Sequence, residues 1–220
     1  MTAMAASVPG LYVGTSGFSY PTWRPDFYPE GTKPVDFLRF YSQRFPSVEL
    51  NTSAYQLPSE EHFRTWAEQV PPGFRFAVRM PRQITHGSRL GLVATFCERV
   101  RLLGDKLGPV LVVLERKRDD GFLLLLRDSL DPELEVAFDL RHDSWEGVEV
   151  PVRVDSLDGD AHFRYVRFRD PPYDDGELTE WAATLRPLLE DGLRVYAYFK
   201  HEDEPTGPTY ARRLLELLAG

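Results

Sequence analysis

The chain has 220 residues, and its formal net charge of −8 argues against binding along a nucleic-acid backbone, which needs an excess of lysine and arginine. The only cysteine, Cys97, excludes an intramolecular disulfide and any metal site with several cysteine ligands. No apolar run approaches the ~20 residues of a membrane-spanning helix, and residues 1–10 lack the pattern of a secretion signal. We therefore expect a cytoplasmic protein without a membrane partner, with a disordered leader at 1–10 and a single domain at 11–220.

The first predicted strand, Leu11–Val13, ends in the sequence Gly-Thr-Ser-Gly at 14–17. Glycines and small hydroxyl side chains at a strand end let a ligand approach the backbone closely, although the same sequence is more often only a turn. The following loop, Pro21–Pro29, contains three prolines and three aromatic residues. Such a loop must pack against another element, either as a lid over the strand ends or as a plug.

Strands and helices alternate along the rest of the chain. Further strands are predicted at Val48–Leu50, Phe74–Met80, Val110–Leu114, Glu135–Leu140, Val150–Asp155, Phe163–Arg169 and Val195–Phe199. Helices are predicted at about Pro34–Phe45, after the cap Ser59, and at Leu90–Leu103, Gly121–Leu130, Leu178–Leu189 and Thr209–Leu218. This order favours parallel strands in an α/β protein.

Seven or eight strands in this length favour a single (β/α)8 TIM barrel. The barrel is expected to be irregular, because only Glu146–Glu149 separate Trp145 from the sixth strand, so the helices after strands 5 and 6 are missing. An open doubly wound sheet is the alternative. It would usually carry a Gly-x-Gly-x-x-Gly turn, and no such turn follows the first strand.

In a TIM barrel, the residues at the C-terminal ends of the strands converge on one face, which we call the mouth. The polar residues at these predicted ends are Ser16, Glu49, Asn51, Arg79, Thr85, His86, Glu115, Asp139, Arg141, His142, Asp155, Arg167, Lys200 and His201. Aromatic residues expected to line its walls are Tyr20, Trp23, Tyr55, Trp145 and Tyr173. The selected catalytic candidates are Glu49, His86, Asp139 and His142. The selected ligand-binding candidates are Ser16, Tyr20, Trp23, Asn51, Arg79, Arg141, Trp145 and Arg167.

Each main candidate has both a functional and a structural interpretation. Glu49 either points into the pocket or is a buried carboxylate bonded to neighbouring strands, and Asp139 has the same two interpretations. His86 is either a general acid or base, or it fixes its own loop through a hydrogen bond to the backbone. Arg141 and Arg167 either clamp a phosphate or carboxylate, or form internal salt bridges.

A bound metal is conceivable but not favoured, and the sequence leaves any cofactor open. Its ligands would come from the set Glu49, His86, Asp139, His142 and Asp155. These residues lack a close spacing such as His-Glu-x-x-His. Base-excision endonucleases and sugar isomerases use such mixed sets of ligands on related barrels, but this comparison rests on the fold alone. Ser16 is outside a Gly-x-Ser-x-Gly nucleophile turn, and no Walker A loop is present.

The segment Gly14–Tyr20, together with Trp23 and Tyr28-Pro29, resembles the opening of the YecE-like family, a domain of unknown function (number 72). Further matching segments are Val48–Asn51, Tyr55–Pro58, Phe74–Val78, Pro81–His86, Leu107–Val110, Arg141-His142, Ser144-Trp145, Tyr165–Arg167 and Trp181-Ala182. The resemblance covers about Leu11 to Leu218. It implies a TIM-barrel fold and no established activity.

The chain departs from the family pattern at four places. It lacks the usual helix between strands 5 and 6, Glu115 stands where glutamine is usual, Asp139 stands where glutamate is usual, and Lys200-His201 replaces Asn-Asn. Whether these departures leave the site active is not decided by the sequence.

The predicted function is the binding of a small anionic molecule, phosphorylated or sugar-like, through Arg79, Arg141 and Arg167. Carboxylates and histidines of the mouth would carry out proton transfer or hydrolysis, as in a phosphodiesterase or an isomerase. The alternative is a barrel without chemistry that binds nucleic acid or a protein partner through the aromatic loop Trp23–Tyr28. The net charge disfavours nucleic acid, and the sequence does not indicate an oligomeric state.

Overall fold

The computed structural model describes residues 8–54, 56–87, 89–200 and 203–220. Within these ranges the chain forms seven strands and seven α-helices. The strands are β1 (Leu11–Thr15), β2 (Ser47–Leu50), β3 (Arg75–Arg79), β4 (Leu107–Leu114), β5 (Val136–Leu140), β6 (Phe163–Phe168) and β7 (Arg194–Phe199). The helices are α1 (Phe37–Ser42), α2 (Glu60–Gln69), α3 (Arg82–Thr85), α4 (Val93–Val100), α5 (Asp120–Ser129), α6 (Asp175–Glu190) and α7 (Thr206–Ala219).

The strands pair in parallel throughout, in two sheets. One sheet has the order β1-β7-β6 and the other has the order β2-β3-β4-β5. The predicted α/β fold with parallel strands is therefore confirmed. The two sheets are not joined into one closed sheet, so strand pairing alone does not complete the predicted TIM barrel.

Backbone contacts link the two sheets at both of their edges. Between β1 and β2, the Gly17 amide donates to the Glu49 carbonyl at 2.8 Å. The two strands approach so closely that a Cβ on Gly14 would lie 2.0 Å from the Ser47 carbonyl oxygen, so only glycine fits there. Between β5 and β6 lies the segment 152–155, which contacts both strands.

This segment is where the prediction of a sixth strand, Val150–Asp155, is wrong. The Phe138 amide donates to the Val152 carbonyl at 2.8 Å, and the Val154 amide returns a bond to Phe138 at 2.9 Å. On its other side, the Asp155 amide donates to the Tyr165 carbonyl at 2.9 Å. Asp155 has a φ of +66°, which interrupts an extended strand. Too few residues remain for a regular strand.

The helices agree with their sequence signals, with shifted ends. The Ser59 hydroxyl accepts the His62 amide at the start of α2, as the cap predicts. Helix α6 begins earlier than predicted, because Asp174 and Glu177 form a reciprocal capping box. The structure describes every residue between β5 and β6, and this segment contains no α-helix. The prediction that the helices after strands 5 and 6 are missing is therefore confirmed. No helix in the described ranges combines the length and the apolar character needed to cross a membrane.

The aromatic loop after β1 is a plug and not a lid. Trp23 and Tyr28 are fully buried, and Tyr28 stacks on Phe37 with a ring-centroid distance of 4.1 Å. The loop therefore covers the apolar side of α1. Part of the predicted leader is also folded, because Val8 packs against the core and the Gly10 carbonyl accepts the Val195 amide at 2.8 Å. Residues 1–7 lie outside the described residues.

Two apolar clusters fill the molecule. The larger lies between the strands and the surrounding helices. The smaller joins side chains of both sheets, among them Ala77, Leu111 and Ala137 from one sheet and Tyr165 and Tyr196 from the other. Both sheets therefore share an interior. The charged residues at the C-terminal ends of the strands, for which we keep the name mouth, lie at one end of this interior.

Candidate functional site

Glu49, in β2, is the innermost carboxylate of the mouth and is fully buried. Its Oε1 accepts hydrogen bonds from the Ser16 hydroxyl and, at 2.9 Å, from Arg167 Nη2. Its Oε2 accepts the Tyr165 hydroxyl at 2.8 Å. Asn51 Nδ2 donates to the Ser16 oxygen at 2.6 Å and extends the network toward the β2 end. Both oxygens of Glu49 are thus occupied by protein donors.

The electrostatics of this group keep Glu49 ionised. Burial by itself opposes the charged form, but Arg167 and the hydrogen bonds from Ser16 and Tyr165 outweigh it and lower the pKa of the Glu49 carboxyl. Burial and the adjacent carboxylate raise the pKa of the Tyr165 phenol well above its usual value. The pKa of Arg167 is raised, because Glu49 outweighs the effect of burial. At neutral pH the site holds a carboxylate, a phenol and a guanidinium.

Asp139, in β5, is the second carboxylate and gathers three arginines. Its Oδ2 accepts hydrogen bonds from Arg141 Nε, Arg167 Nη1 and Arg169 Nη2, each at 3.0 Å. Arg167 therefore bridges Asp139 and Glu49. Burial opposes the charge of Asp139, but the three arginines outweigh it and lower the pKa of the carboxyl. Arg169 also pairs with Asp155, whose other oxygen accepts the Arg167 amide at 2.7 Å.

Glu115 directly follows β4 and is more exposed than Glu49 and Asp139, with 30% of its side chain exposed. Its Oε1 accepts Arg141 Nη1 at 2.8 Å, and its Oε2 lies 3.1 Å from His86 Nε2. Arg82 Nη2 lies 3.4 Å from Oε2, and Arg79 Nη2 lies 3.7 Å from Oε1. The pKa of Glu115 is lowered, because Arg141, the hydrogen bond with His86 and the charge of Arg82 outweigh its partial burial. The histidine ring is held from its other side by Thr85, at 2.9 Å.

Arg79 is the least satisfied cation of the mouth. Only 14% of its side chain is exposed, its closest carboxylate contact is the 3.7 Å pair with Glu115, and its Nε has no hydrogen-bond partner in the described residues. Burial, with repulsion from Arg167 and Arg141, lowers the pKa of the Arg79 guanidinium. Arg169 Nε and Asn51 Oδ1 are likewise buried without a partner within the described ranges. Orphaned polar atoms of this kind need a water or a ligand to satisfy them.

Together these side chains form what we call the ionic cluster. Its members are Glu49, Arg79, Arg82, Glu115, Asp139, Arg141, Asp155, Arg167 and Arg169. A cavity of about 430 Å³ opens beside it and is lined by Asp139, Arg141, Arg153, Asp155 and Arg169. A second cavity of about 670 Å³ lies near the β1 and β2 ends, between Tyr20, Asn51 and the α2 side chains His62 and Trp66. Both volumes lie in the range of small-molecule sites.

The structure brings most predicted candidates together. Seven of them belong to or contact the ionic cluster, namely Ser16, Glu49, Arg79, His86, Asp139, Arg141 and Arg167. Asn51 reaches the cluster through its hydrogen bond to Ser16. Tyr20 lies at its edge, where its hydroxyl donates to the Ser16 carbonyl at 2.9 Å. The salt-bridge interpretation of Arg141 and Arg167 describes their contacts. Glu49 is a buried, bonded carboxylate, but its side-chain partners come from the end of β1 and from β6 across the interior, and β6 is not adjacent to β2.

Three candidates have other partners. Trp23 is buried in the aromatic plug, and Trp145 is buried with its Nε1 donating to the Arg116 carbonyl at 2.8 Å. His142 Nδ1 accepts the Ser144 amide at 3.1 Å and caps the short turn Asp143–Trp145. The contacts of Trp145 and His142 anchor the chain after β5. Two further predicted residues, Tyr55 and His201, lie outside the described residues.

Sequence reasoning overlooked Tyr165, Arg169 and Arg82. Tyr165 and Arg169 are two residues before and after Arg167 in and just beyond β6. Since alternate residues of a strand share a face, the spacing Tyr165, Arg167, Arg169 was a signal that all three point to one interior. Arg82 lies in α3, a short helix that the sequence did not predict. In the described ranges, no group of three or more His, Cys, Asp or Glu side chains is arranged to hold a metal ion.

This parallel α/β fold with charged residues at the strand ends matches a family of proteins without an assigned activity. Residues 12–153 match the family described as "Protein of unknown function DUF72", so the chain belongs to the DUF72, or YecE-like, family, and the resemblance is confirmed. The UPF0759 protein YunF of Bacillus subtilis is 29% identical over 79 residues, which are 36% of this chain and 27% of YunF.

Two crystal structures of DUF72 family proteins share the fold along nearly the whole chain. The protein from Enterococcus faecalis superposes with a TM-score of 0.75 at 16% identity and covers 94% of this chain and 95% of its own. The protein from Thermotoga maritima superposes with a TM-score of 0.71 at 24% identity and covers 96% of this chain and 99% of its own. At these identities the likeness concerns the fold alone.

Proposed function

We propose that the mouth binds a small anionic molecule, phosphorylated or sugar-like, beside Arg79, Arg141 and Arg169. The observation that carries this proposal is the state of Arg79. It is largely buried, it lies near two other guanidinium groups, and its Nε has no partner among the described residues. A buried cation in this state gains an ion pair and a hydrogen bond when an anion enters, and arginine suits the oxygens of phosphate or carboxylate.

The charge balance of the ionic cluster supports a small anion. Among the described residues of the cluster, five guanidinium groups face four carboxylates, which leaves one positive charge in excess. A long polyanion would be repelled by the net charge of −8 on the chain as a whole. A small anion would be exposed only to the local electric field of the cluster, which is positive. The nucleic-acid alternative gains no support from this balance.

We further propose that the site is that of an enzyme, of a hydrolase or isomerase type, with His86 as its proton-transfer group. His86 is partly exposed, and its Nδ1 lies 2.9 Å from the Thr85 hydroxyl, a contact that orients the ring whether or not Glu115 is in place. Glu49 and Asp139 have oxygens filled by arginine, tyrosine and serine donors and lowered pKa values. Their part in this proposal is to hold the arginines in place.

The proposal also includes a barrel of eight positions in one domain at 11–220, with the segment 152–155 in the sixth position. Three observations support it: the hydrogen bonds of this segment to β5 and β6, the close approach of β1 and β2 at Gly14, and the apolar cluster shared by both sheets. A closed arrangement places every strand end at one mouth. We propose a cytoplasmic location as well.

The test is titration with inorganic phosphate at low ionic strength, followed by calorimetry, for the wild type and Arg79→Gln. Arg194→Gln is the matched control. Arg194 pairs with Glu135 at the N-terminal ends of β7 and β5, which are the ends away from the mouth. We expect millimolar or tighter binding by the wild type, a loss of about tenfold or more in Arg79→Gln and no change in the control. Absence of binding by the wild type, or equal loss in both variants, would refute the anion site.

A further inference from the structure

We propose that Glu115 is a specificity-determining residue whose carboxylate occupies the position of the ligand's anionic group, so that a phosphoryl group binds by displacing it. This inference rests on the proposed function and names the chemical class of the ligand. Glu115 would then compete with the ligand for the same donors. Its surroundings, its exposure and the number of donors around it support this role.

The surroundings of Glu115 are those of a bound anion. Four groups that carry or accept positive charge lie within 3.7 Å of its two oxygens, namely Arg141 Nη1, His86 Nε2, Arg82 Nη2 and Arg79 Nη2. They come from two separate parts of the chain, the end of β3 with α3 and the end of β5. A single carboxylate surrounded from two sides by guanidinium groups reproduces the way proteins hold phosphate and carboxylate ligands.

Glu115 differs from the other two carboxylates in its freedom to leave. Glu49 is fully buried and Asp139 nearly so, and displacing either would leave an uncompensated charge inside the protein. Glu115 has 30% of its side chain exposed, and its chain of two methylene groups can rotate the carboxylate into water. The ion pairs of Glu115 are partly exposed and contribute less net stability than the buried pairs of Glu49 and Asp139, so an incoming anion has less to overcome there.

The number of donors around Glu115 indicates a phosphoryl group rather than another carboxylate. Two of the four contacts, from Arg82 and Arg79, are 3.4 and 3.7 Å long, and Arg79 Nε has no partner within the described residues. Two oxygens therefore do not fill the group of donors. A phosphoryl group presents three oxygens in a tetrahedral arrangement, which lets the distant guanidinium groups approach to hydrogen-bond distance.

The test compares phosphate binding by the full chain and by Glu115→Gln, with acetate as the carboxylate probe. Glu135→Gln is the matched control, because it removes the same charge from an arginine pair outside the mouth. We expect Glu115→Gln to bind inorganic phosphate about tenfold more tightly than the wild type, with a smaller gain for acetate and no gain in the control.

The possible failures separate the two proposals. Phosphate binding by the wild type that is unchanged or weaker in Glu115→Gln would overturn the role of Glu115 and leave the anion site standing. Absence of binding by both proteins would overturn the proposed function and this inference with it. Glu115→Asp is a second variant in case Glu115→Gln fails to fold. It keeps the negative charge, but its side chain is shorter by one methylene group, so the carboxylate lies farther from the arginines. It should also bind phosphate more tightly than the wild type, and equal or weaker binding would count against displacement.

Discussion

Replacing Glu49 by glutamine removes the innermost charge of the ionic cluster while keeping the size of the side chain. Glutamine can still accept hydrogen bonds through its amide oxygen, but its NH2 group then faces a donor, either the Tyr165 hydroxyl or Arg167 with the Ser16 hydroxyl. Arg167 keeps Asp139 as a partner at 3.0 Å. The variant therefore tests how much the buried pair of Glu49 and Arg167 contributes to stability.

The size of the effect follows from burial and distance. At the 2.9 Å separation of Glu49 and Arg167, Coulomb attraction at an effective dielectric constant of about 20 is roughly 6 kcal/mol, an upper limit to the net effect. Breaking a buried ion pair by removing one partner costs about 3–5 kcal/mol. Because Asp139 still compensates Arg167, we expect a loss of about 3 kcal/mol, a large part of the roughly 5–15 kcal/mol that stabilises a typical domain.

The assay is urea unfolding followed by tryptophan fluorescence, for which the buried Trp23 and Trp145 provide the signal. Glu135→Gln, in a half-exposed pair with Arg194, should lose at most about 1 kcal/mol. If Glu49→Gln lost no more than this control, Glu49 would not be an ionised partner of Arg167. Combination with Arg167→Met should cost less than the sum of the single changes, because the two residues share one interaction.

Three further predictions concern the outer mouth and the acid range. Arg141→Ala should weaken phosphate binding by about tenfold or more with little change in unfolding, because Arg141 is partly exposed; unchanged affinity would contradict its role. His86→Asn should lower any turnover of a chromogenic phosphodiester by about 10²-fold or more without unfolding the chain, and full activity would remove His86 from the chemistry. The pKa of Asp139 is lower when folded, so its contribution to stability is complete above the unfolded value of about 3.9 and is lost as pH falls through the folded value. The urea concentration at the unfolding midpoint should therefore fall as the pH is lowered through the acid range, and Asp139→Asn should reduce this dependence on pH.

Much of the fold was predictable because its strands carry strong local signals. The apolar segments at Val110–Leu114 and Val195–Phe199 lie inside observed strands with only their ends shifted. The sixth strand was wrongly predicted for a physical reason. Its valines alternate as in a strand, but the left-handed conformation of Asp155 ends the extended backbone, and no pattern of hydrophobicity reports that conformation.

The membership of the site was more predictable than its internal pairing. Parallel strands bring their C-terminal ends to one edge, so Glu49, Asp139 and Arg167 were expected to meet. Which arginine reaches which carboxylate depends on side-chain length and on the offset between strands, and the sequence contains neither. The same limit applies to Trp23 and Trp145, because an aromatic residue beside a strand end packs equally well in a wall or in the core.

We propose that a ligand, rather than the fold alone, accounts for the ionic cluster. Buried ion pairs are weak sources of stability, and apolar residues of similar volume would fill the same space at equal or lower free energy. In the inner part, both oxygens of Glu49 and the Oδ2 of Asp139 accept hydrogen bonds, and these bonds fix the Arg167 guanidinium group. The outer part is incompletely paired, with Arg79 short of a partner and Glu115 open to water. In the anion site that we propose, the inner layer would hold the arginines in place and the outer carboxylate would leave when the ligand arrives.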